Sequence, residues 1–226
     1  PRVDVHERGA KGEDGQPQLL NTRLFVQLMV FDCPAKVDPG TAMVTLRDEL
    51  KERGVSGVVY EDVSAPRGIG LVTYDEDPAV FVSKVRPAVL AAGDLVQRQS
   101  FSMLGRSYSQ GYEQDLRFWL IDRPKSVMAN PEWPWHVWYP LRRSGAFAKL
   151  DGREQAAILR EHGIIGRAYG AQDLAHDVRL ACHGLDANDN EFVVGLIGKD
   201  LHPLSHVVQA MRKTRQTSAF ISQMGP

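Results

Sequence analysis

Apolar residues in this chain come in short blocks separated by Pro, Gly and Asp, and the blocks alternate between strand and helix spacing. Residues 24–31 (LFVQLMVF) are a strand-like run closed by Asp32-Cys33-Pro34. Over residues 40–54, Met43, Leu46 and Leu50 recur at helical intervals, with Gly54 as the stop. Residues 58–60 and 70–74 predict two strands around a Pro-Arg-Gly turn. Pro78 opens a helix through Phe81, Val82, Val85 and Val89, and a strand follows over 96–104.

The second half runs in the same order. Residues 136–139 predict a strand, 151–162 a helix, and 178–182 and 192–197 two strands around the turn GLDANDN. Residues 204–213 predict a helix with Leu204, Val207, Val208 and Met211 on one face, and 219–224 a closing strand. The expected class is α+β: two ferredoxin-like βαββαβ repeats, paired face to face or closed into a dimeric α/β-barrel-type chain with helices outside. Residues 1–19, polar and Gly-rich, predict a flexible arm. The first repeat then spans 20–121, a proline-containing linker 122–134, and the second repeat 135–226.

Composition narrows the partners. A hydrophobic content of 43%, a charged content of 24% and a formal net charge of -1 are those of an ordinary globular chain. They give no electrostatic argument for nucleic acid or a membrane surface. No apolar run reaches spanning length, and no signal peptide is visible. Cys33 and Cys182 are too few for a disulfide framework, which makes the expected compartment cytoplasmic.

Chemistry concentrates between Trp138 and Arg167. Asp151 and Glu154 have the spacing of a capping box, and Ala156, Ile158 and Leu159 offer a buried side. Gly163 looks like the residue just past the helix, which would put His162 in the last turn at the negative end of the dipole. Such a histidine either caps the last carbonyls or ligates a metal such as porphyrin iron. Tyr139, Leu141 and Arg143 share a strand face, so a phenol and a guanidinium could meet a carboxylate there; a half-buried strand with a solvated arginine end is the simpler reading. No CxxCH is present, so any haem would be noncovalent.

In order, YPLRR, ILREHGIIGRAYG, CHGLDANDNEFVVGL and VVQAMRKTRQTSAFISQMGP resemble the chlorite dismutase superfamily, which includes the coproheme decarboxylases. The resemblance is close over about the last 90 residues. It implies two ferredoxin-like repeats, homo-oligomers that are often pentamers, and haem b or iron coproporphyrin as bound group. It implies His162 as the proximal iron ligand and Tyr139 as the tyrosine oxidised in decarboxylases, where true chlorite dismutases usually carry an aliphatic residue. Arg143 falls where a basic residue steadies a propionate. Arg117, and then Tyr108 and Tyr112, are further propionate candidates.

The distal side departs from the family. Its arginine, thirteen residues past the ligand and seven before the hairpin glycine, would fall on Ala175 by one count and on Asp177 by the other. Arg179 lies two residues on, on the face of Asp177, and an Asp177–Arg179 ion pair is expected. His183 or His176 is a candidate acid or base for peroxide. Thr217 stands roughly where the family's glutamate partners the proximal histidine, again nearer the decarboxylases. The resemblance therefore implies peroxide-dependent decarboxylation of iron coproporphyrin to haem b. The alternatives are chlorite dismutation or haem peroxidase activity, and a non-catalytic haem binder or haem-less relative.

Overall fold

The computed structural model describes residues 2–225, which divide into two units: residues 2–125 with 184–189, and residues 126–183 with 190–225. The first unit opens with an antiparallel pair, β1 (Glu7–Lys11) and β2 (Pro17–Leu20). The stretch expected to be a flexible arm is thus partly a hairpin. The physical reason is polar anchoring: Glu7 takes Arg23 at 3.0 Å and Arg106 at 3.1 Å, and Gln18 donates to the Gln114 carbonyl at 2.7 Å.

The first repeat follows as β3 (Phe25–Asp32), α1 (Pro39–Glu52), β4 (Ser56–Glu61), β5 (Gly68–Asp75), α2 (Arg86–Ala91), β6 (Val96–Gln97) and β7 (Met103–Arg106). Asp38 caps α1 by accepting from the Thr41 amide at 2.8 Å, and Gly54 ends it in the left-handed region at φ 63°. A wide π turn at Phe81–Val85 precedes α2. The strand expected over 96–104 is two pieces, because a short helical turn at Gln99–Phe101 separates β6 from β7. Strand order is β7-β3-β5-β4, all antiparallel, with β6 also paired to β3. Leu46, Leu50, Ile69, Leu71, Phe81 and Val85 fill the core beneath α1 and α2.

Part of the expected linker is helical: a π turn at Phe118–Asp122 runs into α3 (Arg123–Met128), because Leu120, Ile121, Val127 and Met128 are buried. The second unit holds β8 (Trp135–Arg143), α4 (Gly145–Ala148), α5 (Gly152–Ala171), β9 (His176–Ala181), β10 (Phe192–Gly198), α6 (Leu201–Met211) and β11 (Ile221–Met224). Its strand order, β11-β8-β10-β9, has the same fourth-first-third-second arrangement as the first repeat. Both units are therefore ferredoxin-like, and within neither do the strand pairings close a barrel. No helix among the described residues is long and apolar enough to cross a membrane.

Helix α6 gives the second unit its orientation. Leu204 and Val207 are buried with Ala175, and Val137, Leu196, Ile165, Tyr169 and Met211 pack around them. Val137 and Leu196 are register partners in β8 and β10, so the face they share is the one turned towards the helices. The opposite face carries Trp138, whose ring lies where a side chain on Gly195 would sit: a Cβ there would be 2.8 Å from the ring. Only glycine fits opposite it.

His136 sits near the start of β8 and donates from Nε2 to the Trp133 carbonyl at 3.2 Å. Burial lowers its pKa from the ordinary value to about 4. An unfolded His136 takes up a proton near pH 6.5, whereas the folded one resists until about pH 4. Its contribution to stability is therefore present above pH 6.5 and lost as the pH falls towards 4. Urea midpoints at pH 7 and pH 4.5 should drop more for wild type than for His136→Gln, and equal drops would contradict this account.

Candidate functional site

Tyr139, Asp177 and Arg179 lie along one strand face of the second repeat, and His162 lies on one of its helices. In β8, β10 and β9 the register sets Tyr139 beside Val194 and Arg179, and Val137 beside Leu196 and Asp177. Since Val137 and Leu196 pack under α6, Tyr139, Asp177 and Arg179 also face the helix layer. The expected ion pair is present, with Arg179 Nε 3.0 Å from Asp177 Oδ2.

His162 is not at a helix end. Helix α5 runs on for nine residues past it to Ala171, and Gly163 is an interior residue. The stop read at Gly163 fails because Ile165 and Tyr169, one and two turns later, find apolar partners against Leu204 and Val207. Packing there outweighs the roughly 1 kcal/mol that an interior glycine costs. The left-handed residue that follows the helix is Asp173, at φ 57°. The dipole argument for His162 goes with that stop. Asp151 does cap α5, accepting from the amides of Arg153 and Glu154 at 2.8 and 2.9 Å, while Glu154 pairs with Arg215 at 3.3 Å. Of the three residues expected on its buried side only Ile158 is buried; Ala156 and Leu159 are exposed.

What shapes His162 is burial. Desolvation holds its pKa below the ordinary histidine value; the Arg179 charge lowers it further, and Asp177 and Glu161 oppose. Its Nδ1 is buried and has no hydrogen-bond partner. The result is a neutral imidazole with an unsatisfied nitrogen, the protonation state that ligates metals. Thr217 is bonded to Thr214 rather than to that nitrogen.

Tyr139 is buried, and its hydroxyl accepts from Arg212 Nη2 at 2.9 Å. Both line a cavity of about 380 Å³ whose wall includes Val137, Leu204 and Val208 and excludes His162. Arg212 escaped the sequence reading. Its signal was the four-residue interval Leu204, Val208, Arg212, which continues the apolar stripe of α6 by one cationic step.

Arg143 is already engaged. Its Nε and Nη2 reach Glu191 Oε1 at 3.0 and 2.7 Å, its backbone amide donates to Oε2 at 2.8 Å, and its guanidinium lies 4.6 Å over both Phe147 and Phe192. The role expected of it, holding an external carboxylate, must compete with this internal one. Ala175 is buried in the α6 cluster and offers no polar group, and His183 lies beyond β9, exposed, edge-on to Phe192. His176 stacks on Trp133 and bonds Asp173 at 2.8 Å. Arg117, Tyr108 and Tyr112 belong to the first unit. There Arg117 is 3.5 Å from Glu76, and the Tyr112 hydroxyl donates to the Gln110 side chain. No cluster of three or more His, Cys, Asp or Glu residues able to hold a metal occurs among the described residues.

An iron porphyrin asks for a neutral axial imidazole, apolar walls and cations near its carboxylate arms. In donor chemistry the second unit fits: His162 supplies the imidazole, the α6 stripe an apolar wall and Arg212 a cation, while Arg179 is paired with Asp177.

A family model described as Chlorite dismutase matches residues 84–225. No curated protein sequence matches the chain. Among solved structures, the chain is similar to a novel heme-binding protein from Thermus thermophilus, at 19% identity and TM-score 0.70 over 92% of this chain and 89% of that one. It is similar to a mutant chlorite dismutase from Candidatus Nitrospira defluvii, at 11% identity and TM-score 0.66 over 90% and 92%. A chain named as a candidate chlorite dismutase gives 16% identity and TM-score 0.71 over 91% and 92%. At these identities the structural likenesses speak for the fold.

Removing the Arg143 guanidinium strands a half-buried carboxylate. Arg143→Met should lower the stability of ligand-free protein by about 1–3 kcal/mol, read from urea midpoints. Unchanged stability would mean that the Glu191 contact contributes nothing to the fold.

Proposed function

The chain belongs to the chlorite dismutase family, and on that premise we propose a haem-binding oxidoreductase that uses peroxide to decarboxylate iron coproporphyrin to haem b. The observation that carries the reading is that one unit holds both a neutral, unsatisfied His162 imidazole on α5 and a buried, arginine-held Tyr139 on the helix side of β8. The heme-binding relative from Thermus thermophilus supports the choice of ligand. The porphyrin would be held without covalent attachment, with His162 as iron ligand.

With peroxide, the bound iron porphyrin supplies the oxidising power. For each propionate converted, one peroxide becomes two waters while the side chain gives up carbon dioxide and a hydrogen and becomes vinyl. Tyr139 would carry the oxidation to the propionate, taking hydrogen as its phenoxyl radical. Arg212 fixes the phenol oxygen in place and brings a cation to the propionate side. Arg179 and Asp177 face the same layer as a neutralised pair, so they add polarity there without net charge. Burial keeps His162 unprotonated near neutral pH, so no proton competes for its ligating nitrogen. Homo-oligomeric assembly, with a pentamer as the leading form, and a cytoplasmic location belong to the same proposal.

A second reading, chlorite dismutation, draws on one observation. Arg179 lies on the helix-facing side of β9 and its charge acts on His162, so the register leaves an arginine on the side where the family uses one. Its ion pair with Asp177 weighs against a free cation for an anionic substrate.

Reconstitution with iron coproporphyrin separates these readings. Wild type should show a Soret band that His162→Ala shifts or weakens, and peroxide should convert the porphyrin to haem b in wild type. Tyr139→Phe should retain the Soret band and lose at least about a hundredfold in conversion. Full conversion by Tyr139→Phe would overturn the role of the phenol, and an unchanged Soret band in His162→Ala would remove it as ligand. Sustained oxygen release from chlorite would favour the second reading, and porphyrin binding with neither reaction would make the protein a carrier.

A further inference from the structure

On the exposed side of α6, two histidines stand one turn apart. His202 and His206 lie at i and i+4, an interval that sets side chains about 6 Å apart on one helix face. Their ring centroids are 5.8 Å apart at 45°. Pro203 lies between them at the third helical position, where a missing amide hydrogen costs no intrahelical bond and the fixed φ stiffens the first turn.

A second element orients one of the rings. Tyr169 of α5 approaches His206, with its hydroxyl oxygen 2.5 Å from Nδ1. When Nδ1 carries the proton and donates to the phenol oxygen, Nε2 is left with its lone pair. A metal-ligating histidine shows this arrangement: one nitrogen on the metal, the other donating to an oxygen that fixes the ring.

We propose that His202 and His206 form a surface site for a divalent borderline cation, nickel, zinc or copper, with Tyr169 as its positioning residue. Two imidazoles as protein ligands select such ions over magnesium or calcium, which demand oxygen ligands. Waters complete the coordination. Because Tyr169 and the histidines sit on different helices, the bound ion favours the docked state of α6 on α5, and the fold gains stability by mass action.

Calorimetric titration of the full, porphyrin-free chain with nickel(II) and zinc(II) tests this. Wild type should take up one equivalent that both His202→Ala and His206→Gln lose, with at least about a tenfold weakening in each. Tyr169→Phe should keep the equivalent and bind it about tenfold more weakly. Far-UV circular dichroism should confirm that all three variants fold, as the exposure of both histidines leads us to expect. Nickel should raise the melting temperature of wild type and leave that of His202→Ala unchanged. An equivalent retained by both histidine variants, no uptake by wild type, or equal uptake of magnesium would each overturn the site.

Discussion

The packing of α6 onto β8 and β10 governs the second repeat. Leu204 and Val207 are buried against Val137, Leu196 and Ala175, and that contact decides which face of the sheet meets the helices. A strand alternates its faces strictly, so once Val137 and Leu196 are committed, Tyr139, Asp177 and Arg179 are committed with them. A one-residue slip of β8 would turn Tyr139 away and bring Trp138 and His136 to the helices. The same contact holds α5, whose Ile165 and Tyr169 share the cluster, and so fixes where His162 stands.

The electrostatics follow from that layering. His162 is neutral because it is buried, not because of a helix terminus, and Arg179 reinforces the effect from the facing strand. Arg179 and Asp177 largely cancel each other. Arg212 closes the α6 stripe with a cation and meets the only polar atom of Tyr139's side chain. A buried phenol with a guanidinium partner, an unpartnered imidazole and a neutralised ion pair in one layer are costly to assemble for stability alone. Polar groups are retained in such positions when a ligand completes them.

The two repeats use their apolar residues differently. In the first, Leu46, Leu50, Ile69, Leu71, Phe81 and Val85 make an unbroken apolar core. In the second, Leu204 and Val207 cluster with Ala175, and Phe147 with Ile158 and Phe220, while the opposite sheet face buries Val178, Leu180, Val193 and Ile197.

By itself the sequence determined the order of elements within each repeat, the twofold βαββαβ plan and the cap at Asp151, and it singled out Tyr139 and His162 as candidates, because periodicity, capping and short ordered motifs are local properties. It misplaced His162 within its helix, since a glycine reads as a stop until Ile165 and Tyr169 have partners to pack against. It left Arg212 and the Arg143–Glu191 pair unremarked, since Tyr139 and Glu191 lie 73 and 48 residues from these arginines along the chain. Only the tertiary structure decided those pairings: a long cationic side chain has many possible partners in sequence, and burial in three dimensions leaves it one.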